Sequence, residues 1–176
     1  MIEYRTLSPD EITPSLFRSF IRRQVVTDCR RKENGRWVIK SDPFVDDWGP
    51  AEYEMLVRCL VHTARTGGMV CGAFQDGRLK GFASVEGTPS GSHSQYLDLS
   101  SIHVSQDLRG CGVGRELFSA AEQFAREHGA KKLYISAHSA VETQAFYRSM
   151  GCVEAEEYDP VHVKKEPCDC QLEYVL

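Results

Sequence analysis

The segment from Arg109 to Gly114 reads RGCGVG and has the composition of an anion-binding turn. It lies between an apolar, strand-like run from Tyr96 to Val104 and an amphipathic segment from Gly114 to His128 that has the pattern of a helix. A glycine-rich turn that opens a helix directs several backbone N–H groups to one point, where the helix dipole adds partial positive charge. Glycine lets a bulky anion approach closely and permits positive φ, and Arg109 adds a forked cationic donor. The pattern predicts a binding site for a diphosphate.

Two common nucleotide-binding motifs do not fit this turn. The dinucleotide fingerprint requires a glycine where Arg115 stands, and an acidic residue about 20 positions further on. The next strand-like run, residues 132–137, is followed by His138 and offers no carboxylate for a ribose. A P-loop requires Gly-Lys-Ser/Thr, whereas Gly114 is followed by Arg115-Glu116. Dinucleotides and nucleoside triphosphates are therefore disfavoured as ligands.

A second motif, Phe-Tyr-x-x-x-Gly, spans residues 146–151, downstream of an Arg-x-x-Gly-x-Gly pattern at residues 109–114. With these two motifs at this separation, the chain resembles the GNAT superfamily of acetyl-CoA-dependent N-acetyltransferases. The resemblance runs in register from about residue 98 to residue 151, and the order of predicted elements agrees with it over nearly the whole chain. The turn alone would be a weak signal, but the combination is specific.

The chain is interpreted as one domain over residues 1–176, with an acetyl-CoA-binding core at about residues 96–151. A length of 176 residues is that of a single domain with a sizeable core. The content of 41% hydrophobic and 26% charged residues is ordinary for a globular protein. The predicted fold class is α/β (α+β). The resemblance implies a GNAT-like fold with a mixed, mostly antiparallel central sheet of six or seven strands, flanked by about four helices.

Hydrophobic periodicity and turn residues predict the individual elements. A capping box at residues 8–11 and an apolar stripe up to Val25 predict a first helix, whereas residues 27–50 lose periodicity and are predicted to be irregular. Asp76-Gly77 predicts a hairpin turn. The other predictions are strands at residues 2–5, 69–75, 79–86, 96–104, 132–137, 152–158 and 171–176, and helices at residues 51–66, 114–128 and 141–150.

Composition disfavours several partners and locations. The formal net charge of −4 argues against nucleic acid, and no apolar run approaches the roughly 20 residues of a membrane span, so no membrane association is expected. The N-terminus lacks the pattern of a signal peptide, and the seven cysteines are interpreted as reduced thiols, which together predict a cytoplasmic location. Cys168 and Cys170 with His162 do not have the spacing of a zinc module, so no metal is expected.

The resemblance implies how acetyl-CoA, the co-substrate of the family, is held. Backbone N–H groups of the turn bind the diphosphate, and backbone of the preceding strand polarises the thioester carbonyl. This strand also splays from the next one, and a bulge near Ser100-Ser101 would serve that purpose. Many relatives carry an asparagine where this chain has Ala140, so Ser139 or Thr143 is expected to replace its contact with the pantetheine arm. The predicted coenzyme-binding residues are Ile102, His103, Val104, Arg109, Gly110, Cys111, Gly112, Val113, Gly114, Arg115, Ser139 and Thr143.

Two residues are predicted to be catalytic. By resemblance, Tyr147 is the general acid that protonates the leaving thiolate; the alternative is a core tyrosine whose hydroxyl makes a structural hydrogen bond. Asp98 is the predicted general base, because it occupies a position where many relatives place a glutamate. The alternative for Asp98 is a strand-end aspartate that only accepts a hydrogen bond. His103, His138 and Glu86 are weaker candidates for the base.

The acceptor site is expected at residues 27–50, a segment that usually covers this site in the fold. Trp37, Asp47 and Trp48 are the predicted substrate-binding residues, because aromatic faces beside carboxylates attract a cationic amine. This favours a polyamine, an amino sugar or a basic amino-acid derivative. The basic run Arg30-Arg31-Lys32 argues the other way if it faces the cleft, and a solvated loop held by two tryptophans is the alternative.

The sequence thus predicts an N-acetyltransferase that moves an acetyl group from acetyl-CoA to a primary amine of a small molecule by direct transfer. Two alternatives remain open: a protein or peptide N-acetyltransferase, and a non-catalytic acyl-CoA-binding domain. Members of the superfamily are often dimers, so the resemblance also leaves a homodimer open.

Overall fold

The computed structural model describes residues 1–176, which form nine strands and four α-helices joined by short 3₁₀ turns. The helices are α1 (Pro50–Arg65), α2 (Val113–Glu127), α3 (Val141–Met150) and α4 (Pro160–Lys165). The strands are β1 (Ile2–Thr6), β2 (Arg23–Glu33), β3 (Arg36–Asp47), β4 (Met69–Gln75), β5 (Arg78–Val85), β6 (Tyr96–Val104), β7 (Lys132–Ala137), β8 (Val153–Glu154) and β9 (Cys170–Val175). None of the helices combines the length and the apolar character needed to cross a membrane.

Seven strands form the central sheet in the order β1-β4-β5-β6-β7-β9-β8, and β2 pairs only with β3. All neighbours in the sheet are antiparallel except β6 and β7. These two parallel strands pair only where Tyr96–Asp98 meets Lys132–Tyr134, and they separate beyond that point. The predicted α/β fold with a mixed, mostly antiparallel sheet of six or seven strands and about four helices is confirmed.

The two long helices cover opposite faces of the sheet, because each has one apolar stripe. The stripe of α2, which includes Leu117 and Ala121, is fully buried against Val85 of β5 and Leu97 of β6. The stripe of α1 packs on the other face in a second cluster that contains Phe82. Burying one leucine side chain stabilises the fold by roughly 1.5–3 kcal/mol, so these stripes fix the position of both helices.

The first predicted helix is wrong. Residues 9–11 and 14–17 form two short 3₁₀ turns, and the chain is extended again from Arg23. Pro14 has no N–H to donate within a helix that starts at Pro9, and its ring clashes with the preceding turn. The apolar residues of this segment nevertheless enter the core, since Phe17 and Phe20 are both buried beside Phe82.

The segment predicted to be irregular is a long hairpin made of β2 and β3. Its turn is Asn34-Gly35, and both residues have positive φ, as a two-residue hairpin turn requires. This dipeptide is a strong hairpin signal that the sequence contains and the prediction missed. Most side chains of the hairpin are exposed or only partly buried, so it lacks the clear alternation of a half-buried strand.

The C-terminal connection also differs from the prediction. The predicted strand at residues 152–158 is reduced to Val153–Glu154, and α4 follows where no element was expected. Asp159 caps α4 by accepting hydrogen bonds from the backbone N–H groups of Val161 and His162, and Pro160 occupies the first helical position. This Asp-Pro pair was the available signal for a helix start.

Candidate active site

A cleft of about 1010 Å³ opens where β6 and β7 separate. Strand β6 contributes residues 99–104 to its wall, including Ile102, His103 and Val104. The register between β5 and β6 shifts so that Ser100 has no partner residue on β5, which confirms the predicted bulge. On its other side, β6 no longer pairs with β7 beyond Asp98, so this edge of β6 is open to the cleft and an extended ligand can pair with it.

The predicted anion-binding turn lies at one end of this cleft. The backbone N–H groups from Gly110 to Gly114 make no hydrogen bond to any carbonyl of the chain. Gly110 and Gly112 have φ of 78° and 83°, and both line the cleft together with Arg109 and Arg115. A run of unpaired donors at the N-terminus of a 15-residue helix is a site for an anion such as a phosphate.

Glycine is required at these three positions of the turn for two different physical reasons. A Cβ on Gly110 or Gly112 would meet no atom within 4 Å, so positive φ is what requires glycine there. A Cβ on Gly114 would lie 3.1 Å from the ring of Phe146, so this glycine allows α2 and α3 to pack closely. Cys111 does not line the cleft, and its thiol is exposed. The side chain of Cys111 is therefore not part of the cleft wall.

We expect Gly112→Ala to weaken coenzyme A binding about tenfold, which corresponds to about 1.4 kcal/mol. The reason is that alanine disfavours the left-handed conformation by roughly 1–2 kcal/mol and relaxes by turning the neighbouring N–H groups away. Gly129→Ala is the matched control, since Gly129 has φ of 74°, follows the other end of α2 and would also meet no atom within 4 Å. Calorimetry should show weaker binding for the first variant only. Equal affinity for both variants would contradict this role of the turn.

Hydrogen bonds connect the residues that precede the turn to the segment before β2. The hydroxyl of Ser105 accepts a hydrogen bond from the backbone N–H of Ile21 at 3.0 Å and donates one to Asp107. Lys80 of β5 donates to the other oxygen of Asp107 at 2.6 Å, and this bond lowers the pKa of that carboxyl group. These contacts fix the position of Ile21, and so of the following residue Arg22, relative to the turn.

Tyr147 of α3 lines the cleft and is 6% exposed. The hydroxyls of the buried Tyr96 and Tyr134 donate to Glu173 and Gln171, but that of Tyr147 has no hydrogen-bond partner in the chain. Burial raises its pKa well above the ordinary value of 10.0, and Asp169 adds to the shift as a nearby negative charge. The phenol therefore keeps its proton at neutral pH and is free to donate it to a ligand in the cleft.

Asp98 does not occupy the position predicted for a general base. It lies outside the lining of the cleft, on β6 where that strand still pairs with β7. Its Oδ2 is 2.7 Å from Nε2 of His162 on α4, and its Oδ1 is buried without a partner. The carboxylate thus holds α4 against the sheet. Of the weaker candidates, Glu86 also lies outside the lining and accepts a hydrogen bond from Thr63.

The Asp98–His162 pair gives a prediction for stability. The hydrogen bond to Asp98 raises the pKa of His162, with Asp159 acting in the same direction and Lys165 against it. Burial raises the pKa of Asp98, and Glu86 adds to that shift. The folded state thus binds a proton more tightly than the unfolded chain, so the stabilisation is complete below pH 6.5 and is lost as pH rises through the raised pKa of His162.

We therefore expect His162→Ala to lower the free energy of unfolding by about 2 kcal/mol at acidic pH, because it leaves a buried carboxylate without its partner. The loss should shrink as pH rises above the pKa of His162. Urea unfolding at a series of pH values measures both effects, and an identical pH dependence for variant and parent protein would refute the assignment.

Arg22 and His103 form a polar wall that sequence reasoning only partly foresaw. Nε of Arg22 donates to Nδ1 of His103 at 3.2 Å, so the imidazole is neutral and carries its proton on Nε2. Burial, together with the charges of Arg22 and Arg109, lowers the pKa of His103 to about 3. His103 is thus a poor general base at neutral pH. His138 also lines the cleft and packs against Phe44.

The two side chains predicted to replace the asparagine contact lie in different places. Thr143 lines the cleft near the start of α3, where its hydroxyl accepts a hydrogen bond from Gln24. Ser139 does not reach the cleft, which corrects its prediction. Its hydroxyl accepts from Arg31 at 2.5 Å and its carbonyl accepts from the backbone of Arg30, because β2 runs across this part of the chain.

The hairpin and Trp48, the residue that follows β3, cover one side of the cleft, but only one of the three predicted substrate-binding residues lines it. Trp48 does so, and its ring packs against His103 with the centroids 4.9 Å apart. Trp37 lies outside the lining and donates to Glu154, and Asp47 is exposed beside Arg23. The basic run at residues 30–32 does not line the cleft either, so it does not oppose a cationic acceptor.

Asp169 is a cleft carboxylate that the prediction missed. It precedes β9, and its Oδ2 accepts a hydrogen bond from Ser136 of β7 at 3.0 Å. The hydroxyl of Ser136 also accepts from Gln171, so its own proton is directed to Asp169. Burial raises the pKa of Asp169. No local motif marks this residue, because only the pairing of β7 with β9 brings it to the cleft.

Comparison with known families and sequences shows that the chain is similar to acetyltransferases. The model of the acetyltransferase (GNAT) family matches residues 30–152. Over 78 residues, 43% of this chain, the sequence is 40% identical to a streptothricin acetyltransferase of Streptomyces lavendulae. The matched segment spans 39% of the length of that curated relative.

The fold is similar to that of two solved acetyltransferases. One is a crystal structure of nourseothricin acetyltransferase, at a TM-score of 0.66 and 21% identity over 98% of this chain and 95% of that chain. The other is a Bacillus anthracis protein described as a streptothricin acetyltransferase and solved in complex with acetyl coenzyme A. It has a TM-score of 0.75 and 15% identity over 100% of this chain and 99% of that chain. At these identities the likeness is one of fold.

Proposed function

Because the chain belongs to the GNAT acetyltransferase family, we propose that it transfers the acetyl group of acetyl-CoA to a primary amine of a small molecule. The observation that carries the proposal is the row of unpaired N–H groups from Gly110 to Gly114, next to the open edge of β6. The row fits a diphosphate, and the open edge fits the amide groups of a pantetheine arm. Acetyl-CoA supplies the acyl group in an activated form, as a thioester.

The chain's own residues supply the two proton transfers that the reaction requires. A new C–N bond forms as the C–S bond breaks, so the amine must lose a proton and the departing sulfur must gain one. Tyr147 is the proposed general acid, because its unbonded phenol lies in the cleft and retains its proton at neutral pH. A phenol so placed delivers that proton to the sulfur as the C–S bond breaks.

Asp169 is the proposed acceptor of the proton that the amine loses. It takes the role that the sequence suggested for Asp98, because Asp169 lines the cleft and Asp98 does not. Asp169 and Tyr147 line the same cleft. The hydrogen bond from Ser136 fixes one oxygen of the carboxylate and leaves the other for the amine, directly or through one water molecule.

The charges of the cleft support a cationic acceptor. Arg109 and Arg115 lie at the end that contains the anion-binding turn, whereas Glu142, Glu166 and Asp169 line other parts of the wall. The aromatic rings of Phe44, on β3, and of Trp48, the residue that follows β3, complete that wall. Carboxylates next to aromatic faces attract an ammonium group through Coulomb and cation–π terms.

Release of free thiol from acetyl-CoA, measured over a panel of amines, tests the proposed function. The panel contains polyamines, aminoglycosides, amino acids with their amides, and short peptides. We expect release with at least one small amine, and mass spectrometry should show that the amine gains one acetyl group. Release with peptides alone would favour the protein N-acetyltransferase. Binding of coenzyme A without release for any amine would favour the non-catalytic alternative.

A further inference from the structure

A hydrogen-bond network leads from the start of α4 to Asp169, the proposed acceptor of the amine proton. Its members, in order, are Asp159, Tyr134, Gln171, Ser136 and Asp169. Ser136 and Gln171 are directly opposite each other where β7 pairs with β9, and Tyr134 lies two residues before Ser136 on the same face of β7. Tyr134 and Gln171 are each only 2% exposed, so they depend on each other for hydrogen bonds rather than on water.

A backbone group sets the direction of every bond in this network. The N–H of Asp159 can only donate, and its nitrogen lies 2.9 Å from Oη of Tyr134. Tyr134 accepts that bond, so its own proton is left for Oε1 of Gln171. This arrangement turns Nε2 of Gln171 toward Ser136, where it donates to Oγ at 3.1 Å. Because Oγ accepts from Gln171, the one proton of Ser136 points to Oδ2 of Asp169 at 3.0 Å.

The network ends on a carboxylate whose surroundings otherwise act in both directions. Burial raises the pKa of Asp169, and the hydrogen bond from Ser136 is the largest influence that lowers it. Glu166 also raises this pKa, whereas His138 and His162 lower it. A donor that is permanently directed at Asp169 stabilises the ionised carboxylate, which is the form that can take up a proton.

We propose that Gln171 is a positioning residue for acetyl transfer, which acts through Ser136 to hold the carboxylate of Asp169 ready to accept the proton of the amine. Tyr134 and the N–H of Asp159 extend this support to the first turn of α4. This inference rests on the proposed function and deepens it. It assigns a part in the proton transfer to two buried side chains, Gln171 and Tyr134, that do not line the cleft.

Gln171→Met tests this role, because methionine has nearly the same length but offers Ser136 no donor. The acidic limb of the profile of kcat/KM against pH should move upward by about half a pH unit, a roughly threefold change in proton affinity. Carbon-13 NMR of the Asp169 carboxyl group, in the protein without substrate, should show its pKa rising by the same amount. Tyr147 does not contribute to this limb, because burial raises its pKa and keeps it protonated.

Combination with Ser136→Ala separates an action through Ser136 from a merely structural one. Ser136→Ala alone should move the acidic limb upward by about one pH unit, because it removes the bond to Asp169 itself. Adding Gln171→Met to that variant should move the limb no further. Gln95→Met is the matched control, since both ends of the Gln95 amide are hydrogen-bonded and Gln95 lies outside the cleft. The control should keep the acidic limb of the parent protein.

Tyr134→Phe is a second variant that tests the same network with a smaller disturbance. It keeps the ring in the core and deletes only the hydroxyl that orients Gln171. The acidic limb should move in the same direction as in Gln171→Met, but by less. The position of the limb does not depend on the amount of active protein, so partial loss of folded protein does not alter it.

The possible outcomes separate the two claims. An acidic limb that stays unchanged in Gln171→Met and Tyr134→Phe, or one that Gln171→Met shifts equally with and without the hydroxyl of Ser136, would overturn the positioning role and leave the proposed function intact. Absence of transfer to every amine of the panel would overturn the proposed function, and the catalytic use of this network with it, whatever the NMR titration of Asp169 shows.

Discussion

Replacing Tyr147 with phenylalanine is expected to lower the turnover number about 100-fold, the lower part of the range for loss of a general acid. The dissociation constant of acetyl-CoA should change less than about twofold, because the ring stays in the core and no hydrogen bond within the chain contributes to the pKa shift of the hydroxyl that is lost. Single-turnover measurements of acetyl transfer, with calorimetry for the coenzyme, separate the two quantities.

The control for this prediction is Tyr158→Phe. Tyr158 is 40% exposed, its hydroxyl donates to Glu154, and it lies outside the cleft. That variant should transfer acetyl groups at the parental rate. If Tyr147→Phe also retains the parental rate, the phenol is only a packing residue and another group protonates the thiolate.

Asp169→Asn should lower kcat/KM for the amine about 100-fold, because an amide of the same shape cannot accept the proton. The pH profile should change as well. In the parent protein the active form of Asp169 is the carboxylate, so activity falls as pH drops through the pKa of this group. Burial raises that pKa above the ordinary value of 3.8, which moves the acidic limb of the profile upward. In the variant only the ionisation of the amine itself should remain.

Asp159→Asn removes the same charge from the same part of the chain and retains a residue that caps α4 well. The carboxylate of Asp159 does not line the cleft. The rate of acetyl transfer by Asp159→Asn and the acidic limb of its pH profile should therefore match those of the parent protein. If Asp169→Asn keeps the acidic limb of the parent protein unchanged in position, the proton acceptor is a different group.

The site could be predicted where local sequence determines local geometry. The turn at residues 109–114 and the flanking β6 and α2 follow from glycine conformations, a helix start and an apolar stripe, all of which are encoded within about twenty residues. Tyr147 was identified through the resemblance to the GNAT superfamily, whose Phe-Tyr-x-x-x-Gly motif ends at Gly151, the residue that ends α3 with positive φ.

The parts that escaped prediction depend on contacts between distant segments. Asp169 lies in the cleft only because β9 pairs with β7. Asp98 lies outside the cleft, where its carboxylate is 2.7 Å from His162 of α4. Arg22 was overlooked for a related reason. Its segment was expected to continue a helix, although Pro14 breaks that pattern and the chain enters β2 instead. Side-chain pairing across the fold is not encoded in residue spacing.

A crystal structure with bound coenzyme A tests directly whether the turn at residues 109–114 binds the diphosphate. We expect the diphosphate oxygens to lie within hydrogen-bonding distance of the backbone N–H groups from Gly110 to Gly114, with the pantetheine arm along the open edge of β6 and the sulfur near Tyr147. A diphosphate bound at any other place, with those N–H groups left unpaired, would show that the turn is not the coenzyme-binding site.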